Sequence, residues 1–292
     1  MPATTPGFIV LDSVTHLGPE HKGAVGYCGS HAGIYAAYYA ASKGIAAVIL
    51  NDAGIGRERA GVAGLTLLEK LGVPGAAISH LSARIGDGQD GVARGILSTV
   101  NGPAARLGLE PGMACREALA LLVKAAPPPS PEPEPLQESR FEVPTPEAGW
   151  YPKALAPVGL DPQVKIIIMD SISLVQPEDD GHVIVAASHG GALGGKPEMA
   201  IKHPVFAVVC NDADRGIDNA GTTRLPALDQ RGIAAACASA FSCRIGDGRS
   251  LWEDGSISAV NETAKRHGGA IGQSTKAFVA AMVAARVKAA LP

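Results

Sequence analysis

Aromatic residues are scarce in this chain, making up 4% of its 292 residues. A core with few rings has to be built from aliphatic side chains and from close backbone approach, which the 36 glycines permit. Cysteine is sparse too. The five thiols (Cys28, Cys115, Cys210, Cys237 and Cys243) are odd in number and include no Cys-x-x-Cys pair, which excludes a disulfide framework and predicts reduced, buried thiols. No apolar run reaches the roughly 18 residues of a membrane span; Ile45–Leu50 stops at Asn51. The net charge of −3 supplies no basic stripe, which argues against a nucleic-acid partner. Met1–Pro6 shows no basic segment leading into an apolar one, so the expected location is cytoplasmic.

Several signatures are also missing. There is no P-loop, no Gly-x-Gly-x-x-Gly, no His-Glu-x-x-His and no Gly-x-Ser-x-Gly. Neither a dinucleotide cofactor nor a metal is expected, and the nucleophile elbow of the α/β-hydrolases is not supported.

What is present is repetition. Asn51-Asp52-Ala53 returns as Asn211-Asp212-Ala213, and Arg84-Ile85-Gly86-Asp87-Gly88 returns whole as Arg244-Ile245-Gly246-Asp247-Gly248. The same offset of 160 residues aligns Gly56 with Gly216, Ala60-Gly61 with Ala220-Gly221, Leu65 with Leu225, and Val100-Asn101 with Val260-Asn261. So many matches in one register predict an internal duplication.

Short apolar runs that end abruptly in polar residues read as buried strands: Phe8–Ser13, Gly23–Cys28, Ala46–Leu50 and Gly75–Ser79, with counterparts at Lys165–Ser171, His182–Ala187, Val205–Cys210 and Ile233–Ala238. Helices are expected at Ile34–Ser42 and after the corresponding Gly-rich turn of the second half. Further helices are expected at Ala60–Leu71, Ala220–Arg231, Cys115–Ala125 and Ser274–Leu291. This alternation predicts an α/β fold of two tandem Rossmann-like repeats, each with a mostly parallel sheet, related by a pseudo-twofold axis. The repeats would be residues 1–123 and 164–292. Between them 124–163 reads as a linker, because half of the chain's 22 prolines lie from Lys124 to Pro162. Such a segment favours polyproline II.

In parallel sheets ligands bind beyond the carboxyl ends of the strands, and the polar clusters fall there. Ser30-His31 and Ser188-His189 sit at strand-to-helix turns, where a Ser can act as nucleophile and a His as acid or base, or where the Ser simply caps a helix. Asp52 and Asp212 follow strand ends and could orient a histidine or hold their own turns. Arg84 with Asp87, and Arg244 with Asp247, could clamp a carboxylate or lock their own loops. Gly190 and Gly191 offer backbone N–H groups to an anion. The halves differ where a site would form: Gly54-Ile55-Gly56 faces Asp214-Arg215-Gly216 in the alignment, and Lys196 and Arg215 add positive charge in the second half only.

The expected function is that of a cofactor-independent hydrolase or lyase acting on a small carboxylate or amide, with its site where the repeats meet. Ser30, His31, Asp52, Ser188, His189 and Asp212 are the catalytic candidates. Arg84, Asp87, Gly190, Gly191, Arg244 and Asp247 are the substrate-binding candidates. The alternatives are a module that binds a small anion or nucleotide without converting it, and an assembly protein. A small-molecule substrate and a homo-oligomer are the expected partners.

Overall fold

The computed structural model describes residues 7–143 and 164–289. They form an α/β protein with two mixed, mostly parallel sheets. The chain divides into two compact units. The first takes Met1–Gln137 with Gly191–Gly195 and Ala213–Gly221; the second takes Glu138–Gly190, Lys196–Asp212 and Thr222–Pro292.

The first unit's sheet contains β1 (Ile9–Leu11), β2 (Val25–His31), β3 (Ala47–Asn51), β4 (Gly75–Ile78) and β5 (Leu97–Val100), ordered β1-β2-β3-β4-β5. The first four are parallel and β5 closes the edge antiparallel. Side chains alternate across the sheet. Ile49 joins a cluster with Tyr27, Ala76 and Leu119, whereas Val48 and Leu50 join another with Ala37, Leu65 and Leu68. A strand buried on both faces has to be apolar throughout, which is why β3 ends so sharply at Asn51. Helices α1 (Ile34–Ser42) and α2 (Gly64–Lys70) cover one face; α3 (Gly88–Arg94), α4 (Gly102–Arg106) and α5 (Cys115–Ala125) cover the other.

The second unit's sheet contains β6 (Arg140–Val143), β7 (Ile166–Met169), β8 (Val183–His189), β9 (Ala207–Asn211), β10 (Ala234–Ala238) and β11 (Ile257–Val260), ordered β11-β10-β9-β8-β7-β6. Strands β7 to β10 are parallel, and β6 and β11 are antiparallel edges. Helix α6 (Arg224–Gln230) packs on one face; α7 (Gly248–Asp254), α8 (Glu262–Arg266) and α9 (Thr275–Ala289) pack on the other. Strand β6 falls inside the proline-rich segment, of which 144–163 lie outside the described residues.

Two helical expectations need correction. The Gly-rich turn of the second half is followed by two 3-10 turns, Leu193–Gly195 and Pro197–Met199, and not by an α-helix. Gly194 is left-handed and Pro197 cannot donate an amide, so the segment has little helical propensity. The helices expected from Ala60 and Ala220 begin later, at Gly64 and Arg224, because Glu58, Arg59, Asp218 and Asn219 take left-handed backbone and interrupt the preceding turn. Helix α3 and strand β5 carry no apolar period that would have marked them.

Candidate functional site

In the first unit the polar residues do collect past the carboxyl ends of β1 to β4. Backbone pairing carries β3 one residue further, since Asp52 N donates to Ile78 O at 2.9 Å. The chain then turns through a strained stretch. Ala53, Ile55, Glu58 and Arg59 all have positive φ, up to 62° at Ile55. Each such residue costs roughly 1–2 kcal/mol relative to ordinary backbone, and a β-branched one is a real outlier. Strain of this kind clusters at functional sites.

The buried Asp52 stands at the head of that turn. Its Oδ1 accepts from Gly54 N at 3.0 Å and from His80 N at 2.9 Å, and lies 2.9 Å from His80 Nδ1. The other ring nitrogen, His80 Nε2, lies 3.0 Å from Asp214 Oδ2. Asp214 belongs to the loop Ala213–Gly221, which is part of the first unit and is itself left-handed at Ala213, Asp214, Arg215, Asp218 and Asn219. That loop is fixed to the same histidine through the main chain, as Ile217 N donates to His80 O at 2.9 Å. Gly54 approaches Asp214 so closely that any side chain there would collide with its Cβ.

The result is one imidazole held between two carboxylates. Burial alone would raise the Asp52 pKa, but hydrogen bonds from the His80 ring, the His80 amide and the Ser98 hydroxyl outweigh it and hold the carboxyl below its ordinary 3.8. Burial alone would lower His80; the bond and charge of Asp52, then of Asp214, reverse that and raise the ring above its ordinary 6.5. The side chains are 3% exposed at Asp52, 11% at His80 and 39% at Asp214, so Asp214 is the member that meets solvent. A histidine bonded to a buried carboxylate through Nδ1 has a fixed tautomer, and its Nε2 is free to exchange a proton with whatever it faces.

The expected site residues are placed as follows. Ser30 is buried at the end of β2; its Oγ accepts from Val14 N at 3.0 Å and lies 3.3 Å from Ser13 Oγ. His31 Nδ1 accepts from Gly33 N at 3.1 Å, and burial pushes the ring down to about 4, so it is neutral. Neither residue is hydrogen-bonded to Asp52, whose imidazole partner is His80. Arg84 donates from Nε to Asp218 Oδ2 at 3.0 Å and stands 3.9 Å from Asp87, which caps α3.

In the second unit, Ser188 Oγ accepts from Ile172 N at 2.8 Å, the same fastening that Ser30 makes. His189 is buried at the end of β8. Asp212 accepts from Ala240 N at 2.8 Å and from Ser258 Oγ at 2.6 Å. Here the residue in the place of His80 is alanine. Gly190 N donates to Asn211 O at 2.8 Å, and Gly191 is buried and counted with the first unit. Arg244 bonds Asp247 from Nε at 3.0 Å and from Nη2 at 2.9 Å, the internal lock anticipated for that loop.

His80 and Asp214 were missed by sequence reasoning that favoured repeated motifs. The signal lay in the mismatches: at the offset of 160, His80 meets Ala240 and Asp214 meets Gly54. A surface pocket of about 490 Å³ in the first unit is lined by Glu58, Arg59, Thr66, Glu69 and Thr99 among others, and by none of the three. Among the described residues no set of three His, Cys, Asp or Glu side chains is arranged to hold a metal ion, and no helix is long and apolar enough to cross a membrane.

Fold and site together define a mostly parallel α/β protein with a carboxylate–imidazole–carboxylate centre at its strand ends. Comparison with family models, curated proteins and solved structures finds no match.

Proposed function

We propose that this chain is a small-molecule enzyme that needs no cofactor, a hydrolase or lyase acting on a small carboxylate or amide, with Asp52, His80 and Asp214 as its acid–base centre. The observation that carries the reading is the His80 ring held at 2.9 Å and 3.0 Å between a buried and a half-exposed carboxylate. Asp214 is the group that touches substrate or water. His80 passes the proton and Asp52 positions the ring. In the hydrolytic form, water loses a proton to this centre as its oxygen bonds to the amide carbon; the C–N bond breaks and the proton leaves with the amine. Strained backbone on both sides of the histidine supports a functional over a purely architectural role. The repeated sequence motifs support descent from a duplicated unit in which one copy kept or gained the imidazole.

The test is turnover of a panel of small amides, cyclic amides and hydroxy acids, followed by NMR. His80→Asn and Asp214→Asn should each lose on the order of a hundredfold or more, whereas His31→Asn should retain activity. Undiminished turnover in both the His80 and Asp214 variants refutes the assignment.

A further inference from the structure

The second unit buries an arginine that has no counter-ion. Arg224, at the start of α6, is 3% exposed. Its Nη1 donates to Met199 O at 3.0 Å and to Ala200 O. Its Nε is buried without a partner, and among the described residues no carboxylate forms an ion pair with it. The neighbouring ionisable groups are Cys210 and Cys237, and burial pushes the Cys210 thiol up to about 11, so that thiol stays neutral and supplies no charge. A guanidinium does not shed its proton to escape burial, and a buried charge without a counter-ion is strongly unfavourable.

The arginine is particular to this unit. The residue at the matching position of the first half is Gly64, where any side chain would collide with Gly33 O and Ala37 of α1. The second unit lacks that helix, and the long side chain of Arg224 binds the Met199 and Ala200 carbonyls where the exposed turn Lys196–Met199 ends.

We infer that Arg224 is an anion-binding residue that receives a small carboxylate on its Nε edge, beneath the turn Lys196–Met199. With Nη1 committed to two carbonyls, the Nε edge is the one left to meet a carboxylate side-on, in the paired geometry such groups favour. This site lies in the second unit and does not depend on the His80 centre.

The full-length protein is titrated with formate, acetate, phosphate and, as an ionic-strength control, chloride. Formate and acetate should raise Tm saturably and shift the Arg224 Nε–H resonance in ¹H–¹⁵N spectra; chloride should do neither at equal ionic strength. Arg224→Met should lose the Tm response, and Arg224→Lys should retain part of it. If Arg224→Met does not fold, the Nε–H titration of the unmodified protein decides. An Nε–H signal unmoved by either carboxylate overturns the inference. So does an equal Tm response in Arg224→Met, and a response to phosphate alone overturns the carboxylate assignment.

Discussion

At the scale of single residues, His80 couples the protein's stability to pH in a definite direction. Its folded-state pKa is raised, so its stabilisation is complete below the ordinary histidine value of 6.5 and fades as pH rises through the higher folded value. Asp52 is depressed, so its contribution is complete above 3.8 and fades as pH falls through its lower folded value. The pair is strongest between those two pH values. His31 acts the other way: burial lowers it to about 4, so its stabilisation is present above 6.5 and is lost on acidification. The His80 contribution is therefore read as a difference between wild type and His80→Ala. In urea unfolding that difference should be greatest near pH ~5 and shrink above neutrality; a difference that grows toward alkaline pH contradicts the ion-pair account. Burial also ranks the members. Asp52→Asn removes the buried carboxylate at Nδ1 and leaves the ring with Asp214 alone, and should cost about 1–3 kcal/mol, whereas Asp214 is 39% exposed and Asp214→Asn should cost no more than about 1 kcal/mol. Equal losses would mean that Asp214 is as shielded in solution as Asp52.

Elements turn on the two strained turns. Ala53 is fully buried with a φ of 49°. Ala53→Gly relieves left-handed strain of about 1–2 kcal/mol and returns about 0.4–1 kcal/mol through the freer unfolded chain. Loss of the buried methyl costs a further ~0.8 kcal/mol, so the net expectation is a change within about 1 kcal/mol of zero in the unfolding free energy measured in urea. The control is Ala76→Gly in β4, which has ordinary strand backbone and should destabilise. Ala53→Gly should therefore cost about 1–2 kcal/mol less than Ala76→Gly, and equal losses at the two positions would mean that the turn is not under strain. These turns also explain what the letters could and could not show. Strands β3 and β9 were legible because burial on both faces demands unbroken apolar runs. Helix α5 was legible from its apolar period. The left-handed residues were not, because Ile55, Glu58, Arg59, Asp218 and Asn219 are not glycine, and tertiary contacts override their local preference. The same contacts assemble the site. Asp52 was identifiable as a carboxylate past a strand end, but His80 lies 28 positions along the chain from it and Asp214 a further 134 beyond His80. Local patterns say nothing across such separations, and the motifs that did repeat, Ser30 and Ser188 in particular, proved to be fastened to backbone amides of the preceding loops.

Over the whole molecule, stability rests on separate cores. The cluster around Leu119 and the cluster around Phe278 share no residue, and both side chains are fully buried. Leu119→Ala should cost about 2–5 kcal/mol and Phe278→Ala about 3–5 kcal/mol, each from lost burial and the cavity left behind. Mutations without common partners add to within about 0.5 kcal/mol. The double variant should therefore lose the sum of the two single costs, measured by urea unfolding at the pH where each single variant remains folded. An interaction energy well above that margin would show that the two clusters are energetically coupled. Two segments depart from chain order, Gly191–Gly195 and the loop Ala213–Gly221: the loop's neighbours in sequence belong to the second unit, while Asp214, Ile217 and Asp218 bond His80 and Arg84 of the first. The ends of that loop continue into the second unit at Asp212 and Thr222, which makes its attachment to His80 testable by hydrogen exchange. In Phe278→Ala, the Ile217 amide that donates to His80 O should lose protection together with the amides of β9, while those of β3 keep theirs; full retention at Ile217 would mean that the loop is held by the first unit alone.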